Sequence, residues 1–371
     1  RAAVAIRDLG SISKAAEAAN LSQPALTQGI SKLERQLQAP LFERLPGGMQ
    51  VSEAGAQFLP RAEAALARIS SPRVTMTQIK ALIALADGGS YARAAQMTGL
   101  SQPSLHRSVA DLSLAVRQSL VVRRGRGIAF TVKGKLAVRE ARLARVELEA
   151  GLAELAALAG REVRTIRIGA MPLSRARILP AAISAHVRRH QGVGVSVMEG
   201  AFHELIEPLR DGEIDMMVGA LRDPLLDPDI KQQELFQDRP SILGRSGHPA
   251  LAGSCSLDEL AVYPWIMPAN DTPIRMQWRA MFEAHKLALP DVPVESGSPL
   301  LIRQILLDSD FLTLLSPDQL AAELEEGRIV EIAQAPPGLI RKIGCFSRAD
   351  WLPTPLQLGF VQLLKEAAAK I

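Results

Sequence analysis

At 371 residues the chain is long enough for two or three domains with full cores. Its composition, 47% hydrophobic and 22% charged, describes an ordinary soluble protein, and Arg, Lys or Asp interrupts every apolar run before it reaches the length of a membrane span. The formal charge of +4 is by itself weak evidence for nucleic acid, yet basic residues dominate before Glu199 and acidic ones after it, which places phosphate-facing charge on the first half. No signal-like segment is present, and the chain opens on Arg1, without Met, in what reads as an already started helix. Cys255 and Cys345 are isolated, which suits a reducing cytoplasm and reads as two small buried side chains.

The segment GSISKAAEAANLSQPALTQGISKL, beginning at Gly10, returns 79 residues later as GSYARAAQMTGLSQPSLHRSVADL, beginning at Gly89, with ten identities in 24 positions. A repeat of that density is a duplicated unit. Each copy reads as two short helices joined by a tight turn. Asn20 and Gly99 stand where the chain must reverse, and both tolerate a positive φ. Ser22 and Ser101 are placed to cap the next helix, and Pro24 and Pro103 fall in its first turn, where a missing N–H costs nothing. Leu26, Ile30, Leu33 and Leu37 make one apolar face and leave Gln23, Thr27, Gln28 and Lys32 pointing away. A short hairpin through Pro46-Gly47-Gly48 then leads to a helix from Glu53 to Ile69 capped by Ser52, and copy two repeats the plan with Leu120, Arg123, Gly127, Thr131 and Gly134. Each unit therefore reads as a winged helix-turn-helix, in which one helix buttresses and the next presents amides and hydroxyls to base edges.

In chain order, residues 1–71 form the first winged unit and 72–130 the second, more divergent one, which carries its wing at Arg123, Arg124 and Arg126. Residues 131–160 are one long helix. Leu136, Leu143 and Ala150 recur every seven residues along it, with Leu148, Leu152 and Leu155 as a second seam, and an apolar stripe on so long a rod needs a partner. From 161 to 371 strands alternate with helices, beginning with Thr165–Ala170, and this alternation implies a parallel sheet. A first lobe covers about 161–236 and 340–371, and a second about 237–339.

GSISKAAEAANLSQPALTQGISKLERQLQAPLFER followed by SEAG resembles the N-terminal signature of the LysR-type transcriptional regulators almost without gaps, and the remainder fits that family's sensor. The second winged unit departs from it, because the family normally carries one. The resemblance implies a multidomain protein: winged helix-turn-helix units, a linker helix that pairs two subunits, and a two-lobed α/β domain like a periplasmic binding protein. It implies base contacts from Gln23, Pro24, Thr27 and Gln28 and phosphate contacts from Ser22, Lys32 and Arg44. It further implies a homodimer or homotetramer on double-stranded DNA, contact with RNA polymerase, and a small effector, often a carboxylate, in the cleft.

For copy two, Gln102, His106 and Arg107 keep polar or basic groups on the outward face, and the wing arginines would attract phosphate, whereas Asp111 in place of Lys32 would repel it. Strand ends aimed at helix N-termini nominate Leu173, Ser174, Glu199, Gly200, Asn270, Thr272, Ser296 and Ser298 for the effector. His186 and His190 have metal-ligand spacing, but with Arg188 and Arg189 between them they read as a surface helix. No metal site, cofactor loop or nucleophile motif stands out, so no enzyme is expected. The alternative reading is an effector sensor that acts by protein contact with little DNA binding of its own.

Overall fold

The computed structural model describes residues 1–371 except 46–47, 126, 162–164, 191, 225–226, 337 and 371, and of Arg44 it describes the backbone alone. Arg126 and the side chain of Arg44 thus lie outside the described residues. The chain forms two compact units, residues 1–164 and 165–371.

The first unit runs α1 (Ala2–Leu9), α2 (Ile12–Ala18), α3 (Gln23–Leu37), β1 (Phe42–Leu45), β2 (Gly48–Val51) and α4 (Glu53–Ala67), then α5 (Met76–Gly88), α6 (Tyr91–Thr98), α7 (Gln102–Ala115), β3 (Val121–Arg124), β4 (Gly127–Phe130) and α8 (Val132–Leu158). The same order of elements thus occurs twice. Local chemistry explains it. Asn20 and Gly99 reverse the chain at φ 51° and 69°. The Ser22 hydroxyl accepts from Ala25 N at 3.3 Å, and that of Ser101 from Ser104 N at 3.3 Å, so each second helix starts satisfied. Leu26 and Ile30 are buried with Ala15 and Ala16, and Leu105 and Val109 with Ala94, so the small residues let each helix pair cross closely. Ser52 and Thr131 bond back to the carbonyls of Pro40 (2.5 Å) and Ser119 (2.8 Å) while capping α4 and α8.

One expectation is corrected. The helix read as a linker in search of a second subunit packs along α4 of its own chain. Leu143, Ala150 and Leu155 are buried there, Leu148 is half-buried, and Leu136 and Leu152 remain exposed. The stripe is covered from within because Gly151 lets the Phe58 ring come so near that a Cβ on it would stand 2.9 Å away.

The second unit comprises β5 (Thr165–Ala170), α9 (Ile178–Arg189), β6 (Gly194–Glu199), α10 (Phe202–Arg210), β7 (Met216–Ala220), β8 (Ile230–Asp238), β9 (Ser241–Arg245), α11 (Leu257–Leu260), β10 (Ile266–Met267), α12 (Pro273–Ala284), β11 (Val294–Glu295), α13 (Pro299–Asp308), β12 (Thr313–Leu315), α14 (Ala321–Glu325), β13 (Ile329–Gln334), β14 (Arg341–Arg348) and α15 (Pro355–Ala368). One sheet has the order β6-β5-β7-β14-β8, another β12-β9-β13, and β10 pairs with β11. The expected parallel sheet is only partly parallel: β5, β6 and β7 run together, but β14 lies antiparallel to both β7 and β8. The reason is connectivity. β8 leaves the first lobe and β14 returns to it, so the two crossings must run in opposite directions.

Each lobe has its own core. Ile166, Ile168, Phe360 and Leu364 fill the first, and Trp265, Trp278 and Phe282 stack edge to face in the second, with ring centroids 5.3 to 5.7 Å apart. The crossing strands are joined by a buried ion pair, with Arg341 Nε donating to Asp238 at 2.9 Å. Burial depresses the pKa of Arg341 and the Asp238 carboxylate opposes that shift. The expectation of a surface helix at His186 is also corrected, since α15 covers it and sets the Phe360 ring edge-on to the imidazole at 5.5 Å.

Candidate nucleic-acid interface and effector cleft

On α3 the face opposite the core is open. Ser22, Gln23, Pro24, Gln28 and Lys32 are exposed, and Thr27 is half-buried. Gln23 is steadied by its Oε1, which accepts from Ser13 of the preceding helix at 3.2 Å, leaving its amide nitrogen outward. The Thr27 hydroxyl donates to the carbonyl of Gln23 at 2.9 Å, so outward it offers a methyl group and an acceptor. Such a surface, polar at its N-terminal end and free of bulky side chains, fits a groove.

The α7 face has different chemistry. Gln102, His106 and Arg107 are exposed, and the imidazole of His106 stacks on Tyr91 with centroids 4.4 Å apart. Asp111, expected to repel phosphate, lies 4.0 Å from Arg107 one turn earlier and so offsets that charge. Arg123 and Arg124 are exposed on the β3–β4 hairpin.

In the second unit a cleft of about 230 Å³ opens between the lobes. One wall is Met171, Pro172 and Leu173 after β5, Phe202 and His203 at the start of α10, and Arg222 just past β7. The other wall is Pro268, Ala269, Asp271 and Thr272 after β10, with Ser296 and Gln319. The strand ends bring these together because three parallel strands finish at the same edge. Arg341 also lines the cleft but is paired with Asp238, which leaves Arg222 as the less satisfied cation. Its main chain is clamped by Gln232, which accepts from its N–H and donates to its carbonyl, both at 2.8 Å. Its guanidinium lies over the Phe202 ring and donates to the Asp271 carbonyl at 3.2 Å, while its buried Nε has no hydrogen-bond partner among the described residues. Burial pulls its pKa below the ordinary value, and Asp271 acts the other way. A cation so placed gains from an anion that brings acceptors into a poorly hydrated site.

Of the residues nominated from sequence, Leu173, Thr272 and Ser296 line the cleft. Five are corrected. The Ser174 hydroxyl is buried and donates to the Met171 carbonyl at 2.8 Å. Glu199 pairs with Arg175, which turns it away. Gly200 is crowded by the side chain of Glu204, whose carboxylate accepts from Ala201 N at 2.7 Å and so occupies the N-terminus of α10 itself. Asn270 and Ser298 are exposed outside the wall, with Ser298 N donating to Ser296 Oγ at 3.1 Å. Sequence reasoning missed Arg222 and Phe202. The available signal was a lone arginine two residues beyond the apolar strand Met216–Ala220. Among the described residues no group of His, Cys, Asp or Glu could hold a metal, and no helix is long and apolar enough to cross a membrane.

Comparison with known proteins agrees with this arrangement. The model of the LysR substrate binding domain matches residues 159–369, and that of the bacterial regulatory helix-turn-helix protein, lysR family, matches residues 1–56 and again 76–135. The HTH-type transcriptional regulator GalR of Pseudomonas putida is 31% identical over 99% of this chain and 96% of its own. PcaQ of Agrobacterium fabrum is 27% identical over 81% of this chain and 96% of its own. Among solved structures, ArgP from Mycobacterium tuberculosis superimposes with a TM-score of 0.64 at 18% identity, covering 79% of this chain and 97% of its own, and full-length OxyR from Pseudomonas aeruginosa with 0.60 at 20%, covering 79% and 94%. With an open recognition helix in one unit and a cleft between two lobes in the other, the chain belongs to the LysR family of transcriptional regulators, which bind DNA under the control of a small-molecule effector.

Proposed function

We propose that residues 1–71 and 72–130 are tandem winged helix-turn-helix units, that 131–160 joins them to the sensor, and that 161–371 is a two-lobed effector domain. The repeated family match and the coverage of the relatives support the duplication. GalR parallels nearly all of this chain, whereas PcaQ, itself almost wholly matched, leaves about a fifth of it unaccounted for.

Gln23, Pro24, Thr27 and Gln28 read bases, and Ser22, Lys32 and Arg44 hold phosphates. Gln102, His106, Arg107 and the wing arginines Arg123, Arg124 and Arg126 do the same for copy two. The observation that carries this reading is the open polar face of α3 set against its buried Leu26 and Ile30. The effector is a small anion, most simply a carboxylate, that meets Arg222 and the groups around Thr272 and Ser296. Closure of the lobes on it changes how sensor domains pack in a homo-oligomer, in the cytoplasm, and so changes contact with DNA and RNA polymerase.

The test is fluorescence anisotropy of the full chain and its Gln23→Ala, Thr27→Ala, Gln28→Ala triple variant on selected and scrambled duplexes at several salt concentrations. Loss of sequence preference with retained salt-dependent binding is expected. Undiminished preference overturns the readers, and affinity that ignores salt favours the sensor that works through protein contact.

A further inference from the structure

Helices α4 and α8 lie antiparallel, because Phe58 meets Gly151 toward one end while Arg68 meets Glu140 toward the other. Between these points Arg61 of α4 reaches Glu147 at 3.0 Å and Glu154 at 2.7 Å, and Arg68 reaches Glu140 at 3.3 Å. The 79-residue offset holds throughout this region. Ser52 and Thr131 are matching caps, and a Cβ on the matching Gly55 or Gly134 would collide with the carbonyl of Leu41 or Leu120, themselves 79 apart.

By that offset position 61 corresponds to 140, and 68 to 147. The two ion pairs are therefore reciprocal. Position 61 of copy one meets the copy-two equivalent of 68, and position 68 meets the equivalent of 61. Contacts of the form i to j and j to i are the signature of a twofold axis. Here the axis lies inside one polypeptide and relates two copies of unlike sequence.

The charges also decide who pairs with whom. Copy one supplies arginine at both positions, and copy two supplies glutamate at both. Two copies of α4 brought together across this surface would set Arg61 against Arg68, and two copies of α8 would set Glu140 against Glu147. Arg61 and Glu147 have side chains only 7% and 5% exposed, so solvent and salt would do little to relieve the clash. Burial works against the charge on Arg61, yet the carboxylates of Glu154 and Glu147 outweigh it and raise its pKa. The surface accepts an unlike copy and rejects a like one.

We infer that each chain is a complete two-reader module, closed by these reciprocal charges, whose α3 and α7 are related by the internal axis and recognise two unlike half-sites. The inference rests on the proposed DNA-binding role of both copies. Thr27, Gln28 and Lys32 in one reader correspond to His106, Arg107 and Asp111 in the other, so the element bound per chain is a pair of dissimilar half-sites and not a palindrome.

The experiment is selection of duplexes from a randomised library by the full-length protein, followed by anisotropy with two triple variants. Q102A/H106A/R107A is expected to abolish preference at one half-site, with about a tenfold or larger loss of affinity, and Q23A/T27A/Q28A to do so at the other. A selected site whose half-sites are both read by copy one, with the copy-two triple variant indistinguishable from the parent, overturns this inference and leaves the proposed function standing. Absence of sequence preference in the parent chain overturns both. The pairing is tested separately. R61E/R68E is expected to lose binding to the selected duplex at least tenfold, and addition of E140R/E147R/E154Q to restore it to within about threefold. A charge-swapped chain that binds no better than R61E/R68E overturns the charge-coded pairing.

Discussion

The Arg222 guanidinium lies over the Phe202 ring, 4.7 Å from its centroid, and one of its nitrogens donates across the cleft to the Asp271 carbonyl. This one cation thus touches both lobes.

Arg222→Leu is expected to weaken binding of small carboxylates by about 10- to 100-fold, the range for loss of a hydrogen bond to a charged group. Affinity for DNA without effector should be unchanged. Calorimetric titration with a carboxylate panel, beside DNA anisotropy, reads both quantities. Equal carboxylate affinity in variant and parent would remove Arg222 from the site.

Lys32→Ala and Gln28→Ala separate phosphate contact from base reading. The first is expected to weaken binding uniformly across sequences and to lower the slope of log affinity against log salt by about one. The second should relax preference at one base pair at a cost of about 1–3 kcal/mol. Competition binding on single-base operator variants distinguishes them.

Gly134→Ala places a Cβ 1.9 Å from the Leu120 carbonyl oxygen, at the junction of the second hairpin with α8. The backbone must shift, and a loss of about 1–3 kcal/mol is expected from the urea midpoint. Gly359→Ala in α15 meets nothing within 4 Å and should instead stabilise by about 0.5–1 kcal/mol.

Burial pushes the Cys345 thiol up to about 12, with Lys365 pulling modestly the other way. The neutral thiol is the folded form, so its contribution to stability is complete below the unfolded thiol pKa and is lost as pH rises from about 9 toward 12. At pH 8 the native protein should resist iodoacetamide at Cys345 while the unfolded chain reacts fully. Mass spectrometry of the alkylated protein provides the readout, and rapid native labelling would contradict the burial.

How much of this was legible in sequence depended on the reach of each interaction. The helix-turn-helix pairs α2–α3 and α6–α7 were, because their determinants lie within a few residues of one another: Ser22 and Ser101 as caps, Asn20 and Gly99 at the reversal, Leu26 and Ile30 on one face. The partner of α8 was not. The seven-residue spacing announced a stripe, but what covers it depends on Phe58 and Arg61, about ninety residues away. In the cleft, the strand-end rule located Leu173, Thr272 and Ser296, and failed at Ser174 and Glu199 because the Met171 carbonyl and Arg175 satisfy them locally. Arg222 and Phe202 meet only in the folded lobe.

The pairing of α4 with α8 also bears on how this regulator can change. In an assembly of identical protomers every codon substitution is expressed at all its DNA contacts simultaneously, so altering one contact without the others is impossible. The faces of α3 and α7 are separately encoded yet made in strict one-to-one ratio, so under the proposed two-reader arrangement a substitution on one leaves the other as it was.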